Sequence, residues 1–157
     1  MQLRIISVGK TDSKAIQQLT EDYQYRLKHY IKCEWVVIPD IKNSKNLTFA
    51  QQKQKEGQEI LSKIQASDVI VLLDEKGKQY SSVQFADWLQ KKMNQGIKQL
   101  VLVIGGPYGF SEEVYERANQ KISLSAMTFS HQMVRLFLTE QLYRAMTILR
   151  NENYHHE

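Results

Sequence analysis

A single cysteine, two prolines and no apolar run near the length of a membrane span narrow the class of this 157-residue chain. A helical span needs roughly 20 consecutive apolar residues. Cys33 alone excludes an internal disulfide framework and a cysteine-cluster zinc site, and the four histidines show no metal-ligand spacing, so no metal is expected. The first residues, MQLRIISVGK, read as a strand and lack the small-residue cleavage site of a secretory signal. A cytoplasmic protein is expected. There is no repeat, no low-complexity tract and no linker rich in Pro, Gly or Ser. One domain over residues 1–157 is therefore expected, long enough to bury roughly two-thirds of its unfolded surface.

Charge is modest, +4 overall, but uneven: residues 1–65 carry 11 Lys/Arg against 7 Asp/Glu, while the rest balances. Lys42, Lys45, Lys53 and Lys55 cluster around a polar loop. They fit a phosphate-facing patch or a solvated helix face, and charge alone does not choose.

Short apolar runs alternate with longer amphipathic segments. Leu3–Val8, Trp35–Ile38, Val69–Leu73, Gln99–Ile104 and a short Ile122–Leu124 read as strands. Asp12 or Ser13 can cap a first helix. Thr48 with Gln51 and Ser81 with Gln84 form capping boxes for two more, and Gly96 ends the third. Fully apolar strands between helices predict an α/β domain, a mostly parallel sheet with helices on both faces. Ligands of such sheets bind beyond the carboxyl ends of the strands. That selects Leu73-Asp74, Gly105–Gly109 and Ser125–Thr128 as site loops.

From about His131 to Arg150 a last helix places Val134, Phe137, Leu138, Leu142, Ala145, Met146, Ile148 and Leu149 within half its circumference. One core contact usually needs a narrower stripe. A homodimer contact is expected on this helix, against the alternative of a helix sunk in its own fold. Gln141 lies inside the arc and requires a partner.

The stretch VLVIGGPYGFSEEV holds three glycines within five positions at the end of a strand. No lysine follows, and the spacing matches neither the phosphate loop nor the dinucleotide fingerprint. Ser111 can cap the next helix, with Glu112 and Glu113 at its positive end, where they discourage a phosphate. A phosphate-free, adenosine-bearing ligand held through the main chain fits, S-adenosylmethionine being the commonest. A purely structural glycine turn is the competing reading.

The run ISLSAMTFSHQMVRLFLTEQLYRA, residues 122–145, together with VIGGPYGF, LRIISVGK, KEGQEIL and the terminal NYHHE, resembles the bacterial ribosomal RNA large-subunit methyltransferase H family along the whole chain. The resemblance implies a small SPOUT-class enzyme whose C-terminal third is threaded as a trefoil knot. It also implies a homodimer that methylates N3 of a pseudouridine in 23S rRNA on the assembled ribosome, with S-adenosylmethionine as cofactor. Carried over by motif, the cofactor contacts are Leu73, Gly105, Leu124, Ser125, Ala126, Met127, Thr128 and Phe129. Tyr154 and His155 are the implied catalytic pair. Imidazole, with its pKa near 6.5, is the better base, and the tyrosine is suited to stacking on or hydrogen-bonding the target base. The tail departs from the family at Asn153, where proline is usual, and at His156, where Arg or Lys is usual. Arg135 and Arg144 are expected either at RNA or the subunit interface or paired with Glu140, His156 as a weak RNA contact, and His131 as a capping or loop-fixing residue. Two other functions compete: a SPOUT enzyme acting on tRNA or a ribose hydroxyl, and a non-catalytic ribosome-binding module.

Overall fold

In a computed structural model that describes residues 1–41 and 46–156, five strands form one sheet in the order β2-β1-β4-β3-β5, every pairing parallel. The strands are β1 (Gln2–Val8), β2 (Cys33–Ile38), β3 (Val69–Gln79), β4 (Gln99–Ile104) and β5 (Gln120–Ser123). Between them run α1 (Lys14–Leu27), α2 (Phe49–Ser62), α3 (Ser82–Asn94) and α4 (Glu112–Arg117), and α5 (His131–Leu149) closes the fold. Lys42 and Lys45 lie outside the described residues, so the loop part of the basic cluster has no structural account; Lys53 and Lys55 sit on α2.

Alternation along the strands divides the core in two. Leu3, Ile5, Val71, Leu100 and Leu102 point to one face, where they pack with Leu27, Phe85, Leu89, Leu138 and Leu142 from α1, α3 and α5. Ile6, Val8, Ile70, Leu72, Val101 and Val103 point to the other, against Ile60 of α2 and Val114 of α4. Side chains that alternate across a pleat make a central strand apolar on both faces, which is why β4 reads as an unbroken QLVLVI.

The helix starts follow the sequence. Thr48 and Ser81 each accept from the third helical N–H while Gln51 and Gln84 return the bond, so both boxes close. Ser13 accepts from Ile16 N and caps α1. Gly96 takes a left-handed φ of +72° after α3. Ser111 departs from expectation: it stands at the cap position of α4 but makes no side-chain cap bond. Its buried hydroxyl faces Gly57 of α2, whose missing Cβ leaves room for the close approach.

Strand boundaries shift as well, and β2 begins two residues before Trp35. β3 continues six residues past Leu73, and β5 begins two residues earlier than expected. Both Leu73 and Lys78 pair with Ile122, so the chain between them leaves the ladder and returns. The apolar face of α5 is covered largely within its own chain, by α1 and α3. Gln141 is satisfied there, accepting from Ser82 Oγ at 2.9 Å and donating to Glu140 at 2.7 Å. Leu138, Leu142, Ala145 and Met146 of the arc are buried in this way, and Val134, Phe137, Ile148 and Leu149 are half-buried.

Candidate functional site

The end of the β3–β4 pairing at Leu73 and the carboxyl ends of β4 and β5 open onto one cleft of about 600 Å³. Three segments wall it: residues 73–76 where β3 leaves its ladder, residues 105–110 after β4, and residues 124–130 between β5 and α5. Leu73, Gly105, Leu124, Ser125, Met127, Thr128 and Phe129 all line it; Ala126 belongs to the same loop but does not face the cleft.

Each loop is held by its own short-range chemistry. In the glycine turn, Gly109 N–H donates to Gly106 O at 3.2 Å, and Gly109 needs its glycine because φ is +78°. Gly105 is small for a different reason: a Cβ there would stand 3.0 Å from the ring of buried Phe110, which packs beneath the turn. A larger residue at 105 acts first by displacing Phe110, not by filling the cleft. In the last loop, Ser123 Oγ donates to Ser125 O at 2.7 Å, and Ser125 Oγ accepts from Met127 N–H at 2.9 Å. Phe129 packs on Phe137 with ring centroids 4.8 Å apart, and Ser130 caps α5.

In the β3 detour, the Asp74 carboxylate accepts from Tyr115 Oη at 2.6 Å and from Lys76 N–H at 2.8 Å. Burial, then the bond to Asp74, pushes the Tyr115 phenol well above its ordinary pKa, so it stays a donor. Tyr115 was invisible as a site residue in the sequence, because it sits one turn into a six-residue helix that reads as surface. Behind the glycine turn, Glu56 of α2 is 3% exposed. One carboxyl oxygen accepts from Gln52 at 2.8 Å, and the other has no partner among the described residues. Gly106 makes room for it, since a Cβ at that position would lie 2.6 Å from the free oxygen.

His131 also lines the cleft, at the first turn of α5. Burial and then the neighbouring Arg135 charge lower its pKa, which favours neutral imidazole. Arg135 is neither RNA-facing nor paired with Glu140: it is 1% exposed and donates to Val8 O at 2.7 Å and Thr11 Oγ1 at 2.8 Å. It ties α5 to the loop after β1. Arg144 does pair with Glu140, Nε to Oε1 at 3.0 Å.

Tyr154 and His155 are not in the cleft. The tail folds back on α1 and α5, where Tyr154 Oη bonds Glu140 at 3.0 Å and Tyr23 Oη at 3.1 Å, and its ring packs on Tyr143 and under Arg144. Burial and then those hydrogen bonds raise the Tyr154 pKa, so the phenol keeps its proton. Arg144 Nη1 lies 3.3 Å from His155 Nδ1. A guanidinium only donates, so Nδ1 accepts and the proton of neutral imidazole sits on Nε2. Glu140 and Arg144 lie roughly 13–20 Å along the helix axis from His131, taking 1.5 Å per residue. His156 is exposed beyond them.

Among the described residues no cluster of three or more His, Cys, Asp or Glu is placed to hold a metal, and no helix is long and apolar enough to cross a membrane. The lining is apolar with a few polar groups: Leu73, Ile104, Leu124 and Phe129 as walls, main-chain groups of the turn, the carboxylates of Asp74 and Glu75, and Lys76. Two carboxylates against one lysine favour a cationic ligand over a phosphorylated one.

Residues 1–155 match the sequence model of the family described as "Predicted SPOUT methyltransferase". This chain belongs to the SPOUT methyltransferase family. Relatives within it are named ribosomal RNA large subunit methyltransferase H. That of Christiangramia forsetii is 63% identical over 99% of both chains, and that of Flavobacterium johnsoniae is 62% identical over 100% of both. The one from Parabacteroides distasonis is 59% identical, again over both full lengths. In overall fold the chain resembles a probable methylase family protein from Haemophilus influenzae Rd KW20, with a TM-score of 0.55 at 12% identity, covering 99% of this chain and 70% of that one.

Proposed function

We infer that this chain is a large-subunit ribosomal RNA methyltransferase that takes its methyl group from S-adenosylmethionine and places it on N3 of a pseudouridine in 23S rRNA. The observation that carries the reading is the convergence of three segments on one cleft, in a chain 62% identical over its full length to a protein named ribosomal RNA large subunit methyltransferase H. The lining fits the cofactor. Leu73, Ile104, Leu124 and Phe129 offer an apolar seat for an adenine, the turn offers main-chain groups at close approach, and Asp74 and Glu75 suit a sulfonium and an ammonium.

Bound S-adenosylmethionine supplies an electrophilic methyl group. The protein's part is orientation and electrostatics. Ser125 and Ser123 brace the 124–130 loop, and Phe110 under Gly105 sets the height of the glycine turn. Tyr115 holds the Asp74 carboxylate at the cleft edge. The attacking imide nitrogen must lose a proton, and His155 is the group to take it. Its Nδ1 lone pair is occupied by Arg144 in the docked tail, so the tail leaves that contact to act. Tyr154, held protonated, positions the base by stacking or hydrogen bonding.

The distance between tail and cleft within one chain supports a twofold homodimer in which one subunit's tail reaches its partner's cleft. The knotted threading of the C-terminal third belongs to the same reading: β5 pairs at the sheet edge beside β3, and α5 then returns to pack on α1 and α3. Work on the assembled ribosome in the cytoplasm follows from the same substrate.

The test offers purified protein three substrates with methyl-labelled S-adenosylmethionine: ribosomes from cells lacking the modification, free 23S rRNA and bulk tRNA. Label in the large-subunit RNA of ribosomes, located on N3 of a pseudouridine by mass spectrometry, is the expected result. Label in tRNA or on a ribose oxygen moves the target. No heat of binding for S-adenosylmethionine leaves a ribosome-binding module.

A further inference from the structure

At the mouth of the cleft an aromatic pair is stacked in the open. Phe49, the first residue of α2, lies against Tyr108 at the tip of the glycine turn, with ring centroids 4.2 Å apart and planes 24° from parallel. Phe49 is nevertheless 65% exposed and Tyr108 40% exposed. Met127, on the loop across the cleft, is 75% exposed and lines the same opening as Tyr108. None of the three belongs to either core cluster, so the fold does not require them. Large apolar side chains gathered beside a cleft mark a contact surface.

The chemistry of the surroundings favours one occupant. The pair offers flat ring surface, continuous through Tyr108 with the cleft itself. Lys53 follows Phe49 by one helical turn on the same side of α2, and Lys76 stands in the cleft lining, with Glu75 beside it as the opposing charge. An aromatic face beside a lysine, as Phe49 stands beside Lys53, is a usual seat of an unpaired nucleobase. A base that enters a catalytic cleft leaves its own stack, and its neighbour in the strand loses a stacking face in the same step.

We propose that Phe49 and Tyr108 form a stacking platform for an unpaired nucleobase adjacent to the nucleotide that enters the cleft. The platform deepens the proposed function and rests on it: it gives the enzyme an RNA contact on the chain's own surface, outside the cofactor loops.

Phe49 is the residue to vary, because Tyr108 borders the cofactor seat. Phe49→Ala should raise the KM for ribosomes about tenfold, the size of one base–aromatic stack. The affinity for S-adenosylmethionine and the sedimentation of the free protein should stay as in the wild type. Phe49→Trp, which keeps a larger ring, should restore the KM. An unchanged KM in Phe49→Ala overturns the platform. So does a change in oligomeric state, which makes the patch a contact between copies of the chain. If the wild type transfers no methyl to ribosomes, the proposed function fails separately. The platform is then decided by binding of a fluorescent single-stranded oligoribonucleotide, which should weaken in Phe49→Ala and recover in Phe49→Trp; equal binding by all three overturns it.

Discussion

Glu56 shows how a residue can shape the site without touching the cleft. Its carboxyl group is buried behind the glycine turn, with one oxygen bonded to Gln52, the other without a partner among the described residues, and Asp40 near enough to add repulsion. Desolvation, the largest cause, raises its pKa above the ordinary 4.5, outweighing the Gln52 bond that lowers it. A carboxyl group with a raised folded pKa adds stability below its unfolded pKa and loses that contribution as pH rises through the folded value. Glu56→Gln removes the buried charge and retains the acceptor for Gln52. At pH 8 it should melt about 2–4 °C above the wild type, worth about 1 kcal/mol at this chain length. The gap should close toward pH 4, and a variant that melts lower at pH 8 contradicts a strained carboxylate. Nothing local in KEGQEIL announces such burial, because charged helices normally face water. The cleft residues were easier to read: Leu73, Gly105 and the 124–129 loop end apolar strands, and that alone places them at one rim. Arg135 misled for the opposite reason, a cation on a broadly apolar helix whose partners are a carbonyl and a hydroxyl more than a hundred residues away.

At the scale of elements, the seam between β3 and β5 carries the largest difference between pattern and structure. The apolar run stops at Leu73, and Leu73-Asp74 reads as the start of a site loop. The chain leaves the ladder there, yet Lys78 and Gln79 rejoin β5 at Ile122 and Ser123. Such a detour is set by a distant strand and is not written in local alternation. Gly77 makes the return possible, since a Cβ on it would stand 2.7 Å from Ile122 Cα. Backbone cannot yield as a flexible side chain does. Gly77→Ala should therefore cost about 1–3 kcal/mol in urea unfolding, the usual range for overpacking. It should also weaken S-adenosylmethionine binding in calorimetry, because residues 73–76 form one wall of the cleft between the two pairing segments. Wild-type stability and binding in that variant would show the seam to be loose. The capping boxes, the left-handed Gly96 and the span of β4 were legible, for they depend on neighbours three or four residues apart.

The whole molecule raises the question that spacing in the sequence cannot reach: which cleft the tail serves. Within one chain, Tyr154 and His155 dock on Glu140, Tyr23 and Arg144, well along α5 from the cleft. Half of the apolar arc on α5 is buried within its own chain and Val134, Phe137, Ile148 and Leu149 are half-buried, so the case for a dimer is carried first by the tail. If the tail acts on the partner's cleft, two differently damaged subunits should repair each other. Thr128→Arg blocks the cleft from an exposed lining position and leaves the core alone. His155→Ala removes the proposed base and should keep near-normal affinity for S-adenosylmethionine. Each homodimer should be slow in methylating ribosomes. Unfolded together and refolded, or co-expressed, the two should form mixed dimers with one sound cleft facing one sound tail. Random reassortment of a twofold dimer then gives about one quarter of wild-type turnover. With a tail that serves its own subunit, every site in the mixture carries one lesion and turnover stays at the level of the homodimers. An affinity tag on one variant that retains the other separates that outcome from a failure to exchange subunits, and sedimentation separates both from a chain that stays monomeric and cannot share a site at all.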